Sequence, residues 1–381
     1  MANEPAQANV TAAPIFPIDF GSLRNMIEYR FTLLDAYVDI NGLPTFAVAE
    51  EPIKVKFQDL LSDLANHNLA AKIRRVSDKL VISVFPKPHL GQPRRTINVL
   101  LFFASVATVG YASYLLIFGV DPRLAAFMYS NLGASSQMIA LAVGILSIIG
   151  LHEFGHVAAV RHHKMDSTLP YFIPGPPPFG TFGAVISLRA PPANRDQLFD
   201  LGFSGPITGF VVMVVVALVA FLVSPLISAQ QSSQLFAAKL LQSSSWPNEP
   251  YLLDLLAQSG LRAIPAGQTL VWSQVMWAAY IGSLVTFLNL LPVWQLDGGH
   301  IMRATLGEKG HKVTAIIAFA LLAVAGYWGF AILLLILMFV SRRPLQGLEP
   351  LDDISPLSAS RKALFVVALV MLGLTFVILP L

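Results

Sequence analysis

Hydrophobic and polar positions follow two different patterns along this chain. As far as about residue 88 they interleave, and beyond residue 96 they separate into long charge-free apolar runs divided by short polar stretches. Within the first part, residues 31–50 read as two strands turned at Asn41-Gly42, a dipeptide suited to the left-handed conformations of a tight hairpin. Residues 56–68 carry apolar Phe57, Leu60, Leu61 and Leu64 at helical spacing. Residues 72–85 alternate again around Asp78-Lys79, which predicts a second hairpin. The expectation is a small soluble α/β domain over 16–88, preceded by a disordered segment 1–15 and followed by a basic, Pro-rich linker over 89–96. His67 stands alone there and reads as an exposed helix-end residue.

Beyond the linker, the apolar runs reach the roughly 20 residues that a bilayer requires of a helix. They fall at 97–120, 135–160, 201–227, 271–291, 313–340 and 363–381. The run 313–340 holds Gly326-Tyr327-Trp328-Gly329, and a hairpin there returns Arg342 and Arg343 to the side of Arg361 and Lys362, as the clustering of cations on one face favours. Seven crossings result, with six as the alternative if the run is one helix. The fold class expected is an α-helical polytopic membrane protein with a re-entrant β-like segment and a small N-terminal α/β domain. Its membrane domain covers 97–381, with core spans near 135–160, 201–227 and 271–298.

Composition supports this division, since 55% of the 381 residues are hydrophobic and 12% charged, against about 25% charged in an ordinary soluble domain. A formal net charge of +3 gives no case for nucleic acid. The absence of cysteine excludes disulfides and thiolate metal sites, leaving His and carboxylate as ligands. Residues 1–14 have neither a basic nor an apolar signal region, so the N-terminus is expected on the cytoplasmic side. The Gln- and Ser-rich insert 228–267 is nearly free of Lys and Arg and is expected as a loop on the opposite side.

Chemistry concentrates at Leu151-His-Glu-Phe-Gly-His156, where the second run ends. On a helix, His152 and His156 lie one turn apart on one face, where two imidazoles can converge on a zinc ion. Glu153 then adjoins the metal, where it can act as general base on a zinc-activated water. The bland alternative makes both histidines polar residues of a membrane interface. Residues 124–151 contain no acid or base, however, and ionisable groups at such depth are costly and functional. Arg161, His162, His163 and Lys164 follow the run, and these two histidines read as interfacial.

Two His leave a hydrolytic zinc site in need of a third protein ligand, with one position open. Asp297 is the first acid after an uncharged stretch beginning at Ala263, at the end of the fourth run, which brings it to the side and depth of the His pair. Pro292 and Gly298-Gly299 allow the helix to unwind there. The alternative is that Asp297 is a helix-end residue and His300 the ligand. Between the second and third runs, 169–188 is too apolar for a solvated loop and too rich in Pro and Gly for a helix. It reads as a re-entrant strand-like segment beside the site, Gly180 to Ile186 offering an edge to an extended substrate, or as an interfacial loop.

In these features the chain resembles the site-2 protease family of intramembrane zinc metalloproteases. The matching residues are the H-E-x-x-H at His152 to His156, the Gly-Pro-x-x-Gly at Gly205 to Gly209, and the Asn-x-x-Pro-x-x-x-Leu-Asp-Gly from Asn289 to Gly298. The segments Leu-Pro-Tyr-Phe-Ile-Pro and Gly-Thr-Phe-Gly-Ala resemble the branch of bacteria, archaea and plastids with a cytosolic N-terminal domain and no PDZ domain. The resemblance implies His152, His156 and Asp297 as ligands of one Zn2+ per chain and Glu153 as catalytic base. It also implies a substrate-orienting role for Asn289, beside the edge formed by Gly180, Thr181, Phe182, Gly183 and Ala184. Trp294 departs from the family pattern, which often has a small residue or Pro there, and bears only on the width of the local substrate path. The implied partners are transmembrane protein substrates and the lipid bilayer, with no nucleic acid, and nothing in the sequence sets the oligomeric state. The implied location is multi-pass in a plasma or inner membrane, if prokaryotic, with the N-terminal domain and the mouth of the site cytoplasmic. The competing classes are a zinc transporter, which has no use for Glu153 beside an open metal position, and a non-catalytic membrane chaperone, in which a ligand or the Glu would be lost.

Overall fold

The structure, a computed structural model, describes residues 16–87, 95–130, 132–186, 188, 190–241, 248–340 and 348–378. The expected disordered segment 1–15, most of the linker 89–96, and Arg342 and Arg343 lie outside the described residues. The chain divides into two compact units: residues 1–90 with Ala190–Arg195 and Pro350–Pro356, and the remainder.

The first unit opens with α1 (Phe20–Glu28), capped by Asp19, whose side chain accepts from the Ser22 N–H at 3.0 Å. Strands β1 (Leu33–Val38) and β2 (Pro44–Val48) form the hairpin expected around Asn41-Gly42, with Gly42 at φ 75°. Asp39 closes that turn by accepting from the N–H groups of Leu43 at 2.9 Å and Asn41 at 2.8 Å, and the Leu43 bond above all holds its carboxyl below the ordinary carboxylate range. Helix α2 (Lys54–Ala65) buries Phe57, Leu60 and Leu64, the stripe read from the sequence. Strands β3 (Leu69–Val76) and β4 (Lys79–Pro86) turn at Ser77 and Asp78, φ 46° and 62°, one residue before the expected Asp78-Lys79. The sheet order is β1-β2-β4-β3, all antiparallel. Two later segments extend it: Asp352 bridges Ile73 in parallel, and Asn194 bridges Asp352.

The second unit is mostly helical. Helix α3 (Arg95–Phe118) is followed by the short α4 (Pro122–Met128) and by α5 (Ala134–His162). Strands β5 (Tyr171–Pro174) and β6 (Thr181–Val185) then form an antiparallel hairpin, where the sequence suggested strand-like backbone. Helix α6 (Arg195–Val223) ends where Ser224 precedes Pro225, a residue pair that disfavours helix. Its polar first turns, which a hydropathy run cannot register, extend it upstream of the expected 201–227.

The insert 228–267, expected as a loop on the side opposite the N-terminus, carries short elements of its own. Strand β7 (Leu226–Ser228) leads into α7 (Ala229–Ala237), α8 (Tyr251–Gln258) follows, and β8 (Gln268–Leu270) pairs back on β7. A sequence signal for α7 was present, since Ser228 and Gln231 form a reciprocal capping box.

The fourth apolar run also holds less helix than 271–291 suggested. Helix α9 (Met276–Leu290) has 15 residues, and Leu291, before Pro292, is extended at ψ 135°. Helix α10 (Asp297–Val324) is interrupted at Gly307, α11 (Trp328–Val340) follows a break at Gly326, and α12 (Ala359–Thr375) begins four residues before the expected 363. Among the described residues, α3, α5 and α6 are long and apolar enough to cross a membrane, by length and composition.

Candidate metal centre

Helix α5 turns one face inward. His152, Glu153 and His156 are 3%, 7% and 8% exposed, while Leu151 and Phe154 point outward. The two imidazoles meet with Nε2 atoms 3.2 Å apart. Asp297 completes the group, its carboxylate oxygens lying 3.2 Å from His152 Nε2 and 3.4 Å from His156 Nε2. It stands at the first residue of α10, after the extended turn 291–296, and not on an unwound end of the fourth span as expected. Pro292 stops α9 and the paired glycines let α10 start against that end, since a Cβ at Gly298 would lie 2.6 Å from the Leu291 carbonyl oxygen and one at Gly299 2.9 Å from that of Val293.

These ligand atoms suit zinc. Bonds of about 2.0–2.1 Å in a tetrahedron put ligand atoms roughly 3.3–3.4 Å apart, and the observed separations are 3.2, 3.2 and 3.4 Å. The surroundings point the same way. Leu201 O lies 2.8 Å from His156 Nδ1 and fixes the tautomer in which Nδ1–H donates, leaving the Nε2 lone pair free. Gly205 and Gly209 of α6 face the two rings: a Cβ at 205 would overlap the His156 imidazole, and one at 209 would lie 3.1 Å from His152 Nδ1. The Gly-Pro-x-x-Gly motif, which carries part of the family resemblance, therefore cradles the histidines. Neither that role nor the Leu201 carbonyl was foreseen.

The Ala184 backbone N–H faces the Glu153 carboxylate, so β6 borders the site. Of the proposed edge, Thr181 is buried, its hydroxyl donating to Ile173 O at 2.9 Å and accepting from the Gly183 N–H at 3.1 Å. Phe182 is exposed, and Gly180 and Gly183 adopt φ 75° and 88°. Asn289 sits half-buried in the last turn of α9. His162 is exposed, and His163 bonds Asp200 at 2.8 Å, a carboxylate that Arg361 also grips. Among the described residues, the group of possible metal ligands gathers Asp297 and not His300 with the His pair.

A family model described as peptidase family M50 matches residues 140–336. The chain belongs to peptidase family M50, the site-2 protease family. The M50 match runs from within α5 through most of α11, and so contains His152, His156 and Asp297. Among curated relatives, the probable zinc metalloprotease EGY2, chloroplastic, of Oryza sativa subsp. indica is 28% identical over 323 residues, 82% of this chain and 55% of that protein. The probable zinc metalloprotease EGY1, chloroplastic, of Arabidopsis thaliana is 27% identical over 265 residues, 67% of this chain and 45% of that protein. This M50 chain thus spans about half the length of the curated relatives it matches. No solved structure matches it.

Proposed function

We propose that this chain is a zinc metalloendopeptidase that hydrolyses peptide bonds within or near the transmembrane helices of other membrane proteins. His152, His156 and Asp297 hold one zinc ion per chain in this reading. The observation that carries it is the meeting of their ligand atoms at 3.2 to 3.4 Å beside the buried Glu153. Bound zinc supplies a Lewis acid that polarises the scissile carbonyl and acidifies water towards neutral pH. Glu153 takes the proton of the attacking water and delivers it to the leaving amide nitrogen. The Ala184 N–H, facing that carboxylate, helps orient it in this reading. The Leu201 carbonyl holds the His156 ring in its ligating tautomer.

A peptide bond inside a helix is shielded by its own hydrogen bonds, and exposing its N–H and C=O in lipid costs several kcal/mol per group unless partners are supplied. In this reading, Gly180 to Ile186 supply them by binding the unwound substrate as an added strand, and Asn289 helps orient the substrate. The β5–β6 hairpin is then the re-entrant element. Seven crossings follow if α9, the part of α10 beyond Gly307, α11 and α12 join α3, α5 and α6, the break at Gly326 supporting the hairpin reading. Arg161 and Lys164 at the end of α5 support a cytoplasmic mouth for the site.

The test is Glu153→Gln in the purified full chain. Zinc content should remain that of the wild type while cleavage of single-span test peptides falls by roughly 10²- to 10⁴-fold, the range of general acid–base groups. Unchanged cleavage would remove the protease reading, and lost zinc would move Glu153 into the ligand set.

A further inference from the structure

The hairpin that borders Glu153 is fastened to α3, a helix outside the 140–336 family match. Asn98 is 6% exposed in the first turn of that helix, and its amide donates to two consecutive carbonyls just before β5, Leu169 at 2.9 Å and Pro170 at 3.0 Å. One turn on, Phe102 meets Phe172 edge to face at 5.3 Å. Further along, Gly180 closes against the α3 backbone, where a Cβ would lie 2.6 Å from Val109 Cα. Residues 98, 102 and 109 share one helical face, and together they run about 16 Å along the axis at 1.5 Å per residue. The hairpin thus lies along α3 as on a rail.

We infer that Asn98 is a positioning residue that sets the hairpin's register on α3 and thereby selects which bond of an extended substrate lies at Glu153. This rests on the protease reading above. The link runs through strand pairing: Phe172 is partnered with Ala184 and Tyr171 with Val185, and the Ala184 N–H faces Glu153. Because side chains alternate along a strand, a one-residue slip presents the opposite set of groups to the site. Asn98 suits this task chemically. A single amide brings two N–H donors to adjacent carbonyls, which would otherwise be left unpaired in an apolar setting.

The test uses the full chain in phosphatidylcholine–phosphatidylglycerol vesicles with single-span peptides of Leu and Ala carrying a central Gly. Two readouts are taken: the distribution of cleaved bonds by mass spectrometry, and oxidative crosslinking of a Phe102→Cys, Phe172→Cys pair, clean because the chain has no cysteine of its own. Asn98→Leu should lower cleavage at the wild-type bond by roughly tenfold, as expected for two lost hydrogen bonds. Neighbouring bonds should gain share and the crosslink should weaken, with zinc content unchanged. Asn98→Gln, which keeps both donors, should restore part of the wild-type pattern. Gly180→Ala, acting at the far end of the rail, should reproduce the Asn98→Leu pattern. A wild-type cleavage distribution in Asn98→Leu overturns the inference whatever the crosslink does, and so does a loss uniform across all bonds with the crosslink intact. If the wild type cleaves none of the peptides, the protease reading itself fails; if it cleaves and the variants match it, only the register role fails.

Discussion

Gly205 and Gly209 contribute to the candidate metal centre by what they lack. Each leaves room for an imidazole, and the room is tighter at 205, where a Cβ would overlap the His156 ring, than at 209, where it would sit 3.1 Å from His152 Nδ1. Gly205→Ala should therefore weaken zinc binding by roughly 10- to 100-fold, the scale seen when groups that orient a ligand are disturbed, and Gly209→Ala by less. Chelator competition on the purified protein measures both, and equal or negligible effects would show that the rings are not held by α6. The candidate ligands were readable in the sequence, the His pair from identity and spacing on a helix with an acid between them, and Asp297 from its place at the end of an uncharged run. Their supports were not. A carbonyl such as that of Leu201 belongs to any residue, and a cavity beside a ring is an absence of atoms, so neither has a signature in residue type.

At the scale of elements, the long apolar runs marked α3, α5 and α6 because lipid-compatible length requires uninterrupted hydrophobicity. Their polar ends were missed for the complementary reason, since backbone hydrogen bonding carries a helix such as α6 through Arg195 and Asp196 whatever their polarity. The β5–β6 hairpin was expected as strand-like from its Pro and Gly content, and its pairing follows in the register Phe172 with Ala184. Proline at position 184 removes the N–H that faces Glu153, whereas proline at 185 leaves that N–H in place. Ala184→Pro should accordingly reduce peptide cleavage by roughly tenfold or more and reduce it further than Val185→Pro, with zinc content intact in both. Wild-type cleavage rates in both variants would contradict a role for this edge.

Across the whole molecule, the least legible features are those that join distant parts of the chain. The first unit's sheet takes in residues near 194 and 352 through parallel bridges that no local pattern announces. The candidate metal centre likewise draws on α5, α6 and the start of α10, and Asp297 lies far along the chain from His152. Reading Asp297 as that ligand from sequence required matching membrane depth on two separate runs, and His300 remained a competitor because it lies within one helical turn. In the structure Asp297 meets both histidines, while His300 stands outside the group. Zinc content measured by mass spectrometry on purified wild type, Asp297→Ala and His300→Ala decides the matter directly. About one zinc per chain in the wild type and His300→Ala, with its loss in Asp297→Ala, is the predicted result; full zinc in Asp297→Ala with its loss in His300→Ala would contradict it.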